Sequence, residues 1–129
     1  MSASRPKPLS PHLQVFRWPL TMALSISHRI TGGALTGGLV LVVLWLAALA
    51  AGPESFAVAN AIAGSWLGIL VLFAMTIATF LHFANGIRHL AWDFGYGFDM
   101  ATTQKSGVAV LVFTGVATVV TWLAIATLA

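Results

Sequence analysis

The sequence predicts an all-α integral membrane protein with three transmembrane helices. Two observations carry that prediction: formal charge is nearly absent, and the chain holds three long uncharged runs. Only six basic and three acidic residues occur among 129, or 7%, against ~25% in soluble domains. Hydrophobic residues make up 59% of the chain, and mean hydropathy is +0.95. A soluble globule of this size exposes too much surface to hide so many apolar side chains. Residues 1–129 therefore read as a single membrane-anchor domain.

The spans are expected at about 24–51, 61–88 and 106–128. The first centres on the uncharged run Ile30–Ala51, and the second lies between Glu54 and Arg88. The third is Ser106–Ala129. Each reaches the ~20 residues that a ~30 Å hydrocarbon layer requires. Turns of Gly52-Pro53-Glu54 and Gly95-Tyr96-Gly97 punctuate them. The first run is long enough to cross a bilayer and lacks a convincing small-residue cleavage site, so no cleavable signal is expected.

Basic residues set the expected orientation. Arg5, Lys7 and Arg17 precede the first span, Arg29 sits at its entrance, and Arg88 and Lys105 flank the second loop. The first loop carries only Glu54. The positive-inside rule then puts the N-terminus in the cytoplasm and the C-terminus outside. Phe16, Trp18, Trp92, Phe94, Tyr96 and Phe98 fit an aromatic belt at the cytoplasmic face. So few basic residues, placed beside apolar spans, argue against nucleic acid as a partner despite the net charge of +3. The pairs Gly33/Gly37 and Gly64/Gly68 have the spacing of close helix packing, within a bundle or across a dimer. The third span, with Thr114, Thr118 and Thr121, reads as scaffold.

There are no cysteines. Disulfides, thiolate metal sites and iron–sulfur ligation by this chain are therefore excluded, and histidine is left as the good metal ligand. Two polar clusters stand out. In Ser25-Ile26-Ser27-His28-Arg29, positions 25, 28 and 29 are one helical turn apart and share a face. A hydroxyl beside a cation suits an oxygen that gains negative charge, such as a quinone carbonyl, or a cofactor carboxylate. The plainer reading is an arginine reaching the interface beside a helix-start serine.

The second cluster runs from His82 to Asp93. His82 and His89 are two turns apart on one stripe, with Asn85 and Gly86 between them. Gly86 lacks a side chain where a flat ligand needs room. His82 lies about 9 Å deeper than Arg88 at ~1.5 Å per residue. A neutral imidazole at that depth is a nitrogen ligand with no net charge to bury, or else a hydrogen-bonded packing residue. Arg29, His28 and Arg88 supply cations at the membrane edge for haem propionates. His89 and Asp93 read as hydrogen-bonding groups at the interface, and His12 as a surface or partner contact. If His82 binds a haem, His28 fits poorly as the opposing ligand, and a second subunit fits better. Three helices also enclose a porphyrin poorly, so they are expected to form part of a heteromeric helical bundle.

These residues resemble the cytochrome b subunit of succinate dehydrogenase, the larger membrane anchor of succinate:quinone oxidoreductase. The likeness spans nearly the whole chain. It rests on Pro8-Leu9-Ser10-Pro11-His12-Leu13, Trp18-Pro19-Leu20 and Ser25-Ile26-Ser27-His28-Arg29-Ile30-Thr31-Gly32. It continues through His82-x-x-x-Gly86-Ile87-Arg88-His89-Leu90-Ala91-Trp92-Asp93. The family's Arg-Pro falls here on Lys7-Pro8, which keeps the charge.

The resemblance implies that His82 is an axial ligand of haem b, with the other ligand on a smaller anchor subunit. Ser25, Arg29 and Trp18 match ubiquinone-site positions, and His28 and Arg29 match groups near the haem propionates. Partners implied are that smaller anchor, a flavoprotein subunit carrying FAD, an iron–sulfur subunit and membrane lipid. The implied setting is a bacterial cytoplasmic (inner) membrane with a periplasmic C-terminus. No activity is expected of the chain alone. The rival readings are a haem-free anchor of the fumarate reductase type and a small transporter subunit. Against the transporter, the ionisable groups crowd one face and no polar path crosses the spans.

Overall fold

The computed structural model describes residues 17–128. The expected motif at Pro8–Leu13, with His12, and the belt residue Phe16 lie outside these residues. Four helices follow in order: α1 Leu20–Ala50, α2 Pro53–Ala63, α3 Trp66–Asp93 and α4 Met100–Leu128. There is no strand among the described residues. Helices α1, α3 and α4 are long and apolar enough to cross a membrane. The chain is thus an all-α multi-pass membrane protein.

Local chemistry sets the boundaries. Pro19 stands just before α1, where a missing N–H costs nothing. Gly52, at φ 115°, supplies the left-handed turn after α1, and Pro53 and Glu54 open α2. The expected second span at 61–88 runs across a break that the structure places at Gly64-Ser65. Ser65 caps α3 by accepting a hydrogen bond from the Gly68 N–H at 3.1 Å. In the second loop, Gly95 and Gly97 take φ values of 86° and 79°. Asp99 then caps α4, its Oδ1 accepting from the Thr102 N–H at 2.8 Å. Helix α4 therefore starts ahead of the expected 106, because that cap lies in a polar lead-in.

Contacts between α1 and α3 pair rising numbers with falling ones: Leu24 with Asn85, His28 with His82, Gly38 with Met75. These two helices are antiparallel. So are α3 and α4, which meet through Arg88–Ser106, Phe80–Phe113 and Phe73–Trp122. Helix α4 approaches α1 closely at Gly107, where an added Cβ would lie 3.0 Å from Leu20. Small residues bring helices together in lipid, where burial of apolar surface gives little drive. Gly33 and Gly37 behave differently from the expected packing within the bundle. A Cβ at either meets nothing within 4 Å, so both face away from the other helices of this chain. Gly64 and Gly68 lie at the α2–α3 break, against the backbone of Asn60, Ile62 and Ala63.

Candidate functional site

The polar side chains gather where α1 begins and α3 ends. His28 on α1 and His82 on α3 stack face to face, with ring centroids 4.0 Å apart and planes 8° from parallel. His89 follows at 4.9 Å from His28, and Trp92 stacks on His89 at 5.2 Å. The three half-buried histidines thus form a column between the helices.

His82 has a defined tautomer. Its Nδ1 lies 3.1 Å from the His28 carbonyl oxygen, which accepts hydrogen bonds and cannot donate. Nδ1 is therefore the donor, and in the neutral ring Nε2 carries the lone pair. The neighbouring Thr31 hydroxyl is also 3.1 Å from Nδ1. Gly32 makes room for the ring, since a Cβ there would lie 3.1 Å from His82 Cε1. Among the described residues, the buried Nδ1 atoms of His28 and His89 have no hydrogen-bond partner. Both atoms are enclosed by the stacked rings, so neither reaches solvent.

The stacking decides one question of ligation. A metal bound to imidazole lies in the ring plane, along the nitrogen lone pair. Two nearly parallel, stacked rings share no such point between them. His28 and His82 cannot hold one metal from opposite sides in this arrangement. His28 was expected to fit poorly as an opposing ligand, and its ring packs directly on that of His82. Gly86, expected to clear space for a flat ligand, instead faces His28, with a Cβ there 3.7 Å from His28 Cε1.

Arg88 departs from its expected role at the membrane edge. It is only 5% exposed. Its Nε donates to Ser106 Oγ at 3.0 Å, Nη2 to the Thr103 carbonyl at 3.1 Å and Nη1 to Asn85 Oδ1 at 3.5 Å. The guanidinium also lies 4.0 Å over the Trp92 ring. Asn85, fully buried, donates onward to the Leu24 carbonyl at 3.0 Å. The network ties α1, α3 and α4 together and occupies the arginine. Asn85 was seen in the sequence only as a residue between two histidines; its i, i+3 spacing to Arg88 was the available signal.

The remaining candidates lie toward the outside. Arg29 is exposed, while His28 beside it turns inward against α3. Ser25 is half-buried one turn before Arg29, and Trp18 is 61% exposed just ahead of α1. Arg29 and Trp18 are thus more open than the stacked pair His28 and His82, and no hydrogen bond joins Trp18 to Ser25 or Arg29 among the described residues. Asp93 is exposed at the end of α3.

The whole pattern matches a known family model, described as succinate dehydrogenase/fumarate reductase transmembrane subunit, over residues 3–121. The chain belongs to this family. Its similarity extends to the succinate dehydrogenase cytochrome b556 subunit of Paracoccus denitrificans, 45% identical over 105 residues, covering 81% of each chain. The mitochondrial cytochrome b560 subunit of Bos taurus is 43% identical over 113 residues, covering 84% of this chain and 65% of that one. The cytochrome b556 subunit of Rickettsia felis is 34% identical over 116 residues, covering 90% of both. These relatives and the three apolar helices identify a membrane-anchor subunit of the succinate dehydrogenase type. The relatives named here are all cytochrome b subunits, which gives no support to the haem-free alternative.

Proposed function

We propose that the chain holds haem b through His82 and forms part of the site where ubiquinone is reduced with electrons from succinate. The observation that carries this reading is the tautomer of His82. A backbone carbonyl fixes its proton on Nδ1, so Nε2 is left free as a nitrogen ligand, the arrangement metal-bound histidines adopt. Arg29, exposed on α1 beside His28, supplies a cation that suits a haem propionate. Because the stacked rings cannot bind one metal together, any further ligand would come from another chain, and a smaller anchor subunit suits that role. Gly33 and Gly37, open on the outside of α1, allow a partner helix to approach closely.

In the assembled enzyme, a flavoprotein subunit with FAD oxidises succinate to fumarate. An iron–sulfur subunit passes the two electrons on, and the quinone takes them with two protons to become quinol. Arg29 and Ser25 bind and polarise the quinone carbonyl oxygen, where negative charge develops. Trp18 forms an apolar wall beside them. Haem b, when bound, supplies a one-electron store beside this route. The chain sits in a bacterial inner membrane with its N-terminus in the cytoplasm and its C-terminus in the periplasm. The spans we assign lie within α1, α3 and α4, the second beginning at Trp66 after the Gly64-Ser65 break.

His82→Ala in the assembled complex tests the ligand role. The expected result is loss of the b-type band from the reduced-minus-oxidised spectrum with membrane insertion retained; an unchanged spectrum refutes it. Arg29→Ala tests the quinone role separately. It is expected to lower quinone reduction by ~10²-fold or more, as loss of an oxyanion-stabilising donor does. Succinate oxidation with an artificial dye should continue. Equal loss of both activities overturns the assignment.

A further inference from the structure

We propose that Thr31 is a positioning residue for His82, holding the imidazole by its Nδ1–H and setting how strongly Nε2 donates. This deepens the ligand reading of His82 and rests on it. The Thr31 hydroxyl donates its own proton to the Ser27 carbonyl at 2.8 Å, the usual back-bond of a helical threonine. Its oxygen lone pairs are then free to accept, and His82 Nδ1 lies 3.1 Å away. The His28 carbonyl is the second acceptor for the same N–H. Two oxygens on α1 thus share one proton from α3.

This geometry is specific to the position. Gly32, next in sequence, lets the His82 ring press against α1, since a Cβ there would come within 3.1 Å of Cε1. A larger residue at 32 would push the ring away from both acceptors. Thr31 therefore acts through His82 and touches no substrate. An acceptor on Nδ1–H pulls the proton outward and gives the ring imidazolate character. Nε2 becomes the stronger donor, which favours the ferric over the ferrous state of an iron it binds.

The test uses the whole complex, purified with all its subunits, with Thr31→Val, Thr31→Ser and His82→Ala. The readout is the haem b midpoint potential by redox titration, with haem content measured alongside. Thr31→Val keeps the shape and removes the acceptor. It should lower the ferric-to-ferrous ratio at fixed potential about threefold, an upward shift of ~30 mV at about 59 mV per decade. Thr31→Ser keeps the hydroxyl and should restore the wild-type potential. Thr31→Ala serves as a second hydroxyl-free variant where valine blocks assembly. An unchanged potential in the hydroxyl-free variant overturns the inference. So does a shift in Thr31→Ser as large as in Thr31→Val, which would indicate packing in place of the hydrogen bond. If His82→Ala keeps the wild-type haem spectrum, the ligand reading itself falls. Haem loss in His82→Ala with an unmoved Thr31→Val sinks only the role of Thr31.

Discussion

The two ends of the bundle are held together by different means. Where α1 begins and α3 ends, hydrogen bonds cross all three long helices: Asn85 to Leu24, Arg88 to Ser106 and Thr103, His82 to the His28 carbonyl. At the other end α1 stands apart. Six consecutive residues, Leu39–Leu44, are each more than half exposed, so more than a full helical turn of α1 is only partly covered by this chain. That end is tied instead through α2, by Trp45 Nε1 donating to Asn60 Oδ1 at 2.9 Å and by the Trp45–Phe56 edge contact. In lipid, apolar side chains gain little by leaving one apolar neighbour for another. Interhelical hydrogen bonds and small-residue contacts then decide where helices stay together. The end that carries the candidate site has α1 bonded into the bundle. At the other end α3 and α4 still meet through Phe73, Thr76 and Trp122, and α1 leaves surface for other chains.

Removing the centre of the hydrogen-bonded end should have the largest structural effect. Arg88→Leu deletes three hydrogen bonds and leaves Asn85 Oδ1 buried without its donor. Interhelical bonds in lipid average about 0.6 kcal/mol and charge-assisted ones are stronger, so we expect about 2 kcal/mol of destabilisation. Thermal unfolding of the assembled complex in detergent should show it as a lower midpoint. The haem band should weaken as α3 gains freedom to rotate. A variant as stable as wild type would break the contrast, placing Arg88 back among interface cations.

The corresponding change at the α2 end should matter less. Trp45→Phe keeps the apolar ring against Phe56 and loses only the bond to Asn60. A cost near ~0.6 kcal/mol is expected, with haem content unaltered. If Trp45→Phe proves as damaging as Arg88→Leu, the two ends are equally constrained.

The same contrast explains what could be read from the sequence. Three spans and the polar clustering were legible because both depend on which residues lipid tolerates, a property of composition along the chain. The α2–α3 break was not, although Pro53, Glu54 and the Gly64-Ser65 pair all signal helix ends. The uncharged stretch from Ala57 to Leu81 continues straight through it, and hydropathy dominated. Arg88 was misplaced for another reason. A cation near the end of a span has two ways to be stabilised, by water at the interface or by buried partners. The partners Ser106 and Thr103 come from α4, so spacing within α3 could not reveal them. His28 and His82 were picked out individually. Their stacking depends on the α1–α3 register, which Gly32 and Gly86 allow but do not by themselves dictate.

The smallest expected effect is at Asp99, which joins the hydrogen-bonded end to α4 from the loop. Its carboxylate is held below the usual aspartate range, chiefly by hydrogen bonds from Thr102, with a smaller opposing contribution from desolvation. A depressed pKa means the folded state favours the charged form. The cap is therefore at full strength above the unfolded aspartate pKa of about 3.9, and is lost as pH falls through the lower folded value. Amide exchange at Thr102, whose N–H meets Oδ1 at 2.8 Å, should speed up in that acid window relative to residues farther along α4. In Asp99→Ala the faster exchange should be present at neutral pH and lose its acid dependence. The haem band should stay unchanged, because the cap holds only the first turn of α4 and the Arg88 bonds to Thr103 and Ser106 anchor the helix beyond it. A parallel loss of haem on acid titration of the wild type, absent from Asp99→Ala, would show that the hydrogen-bonded end depends on this loop as well as on its buried network.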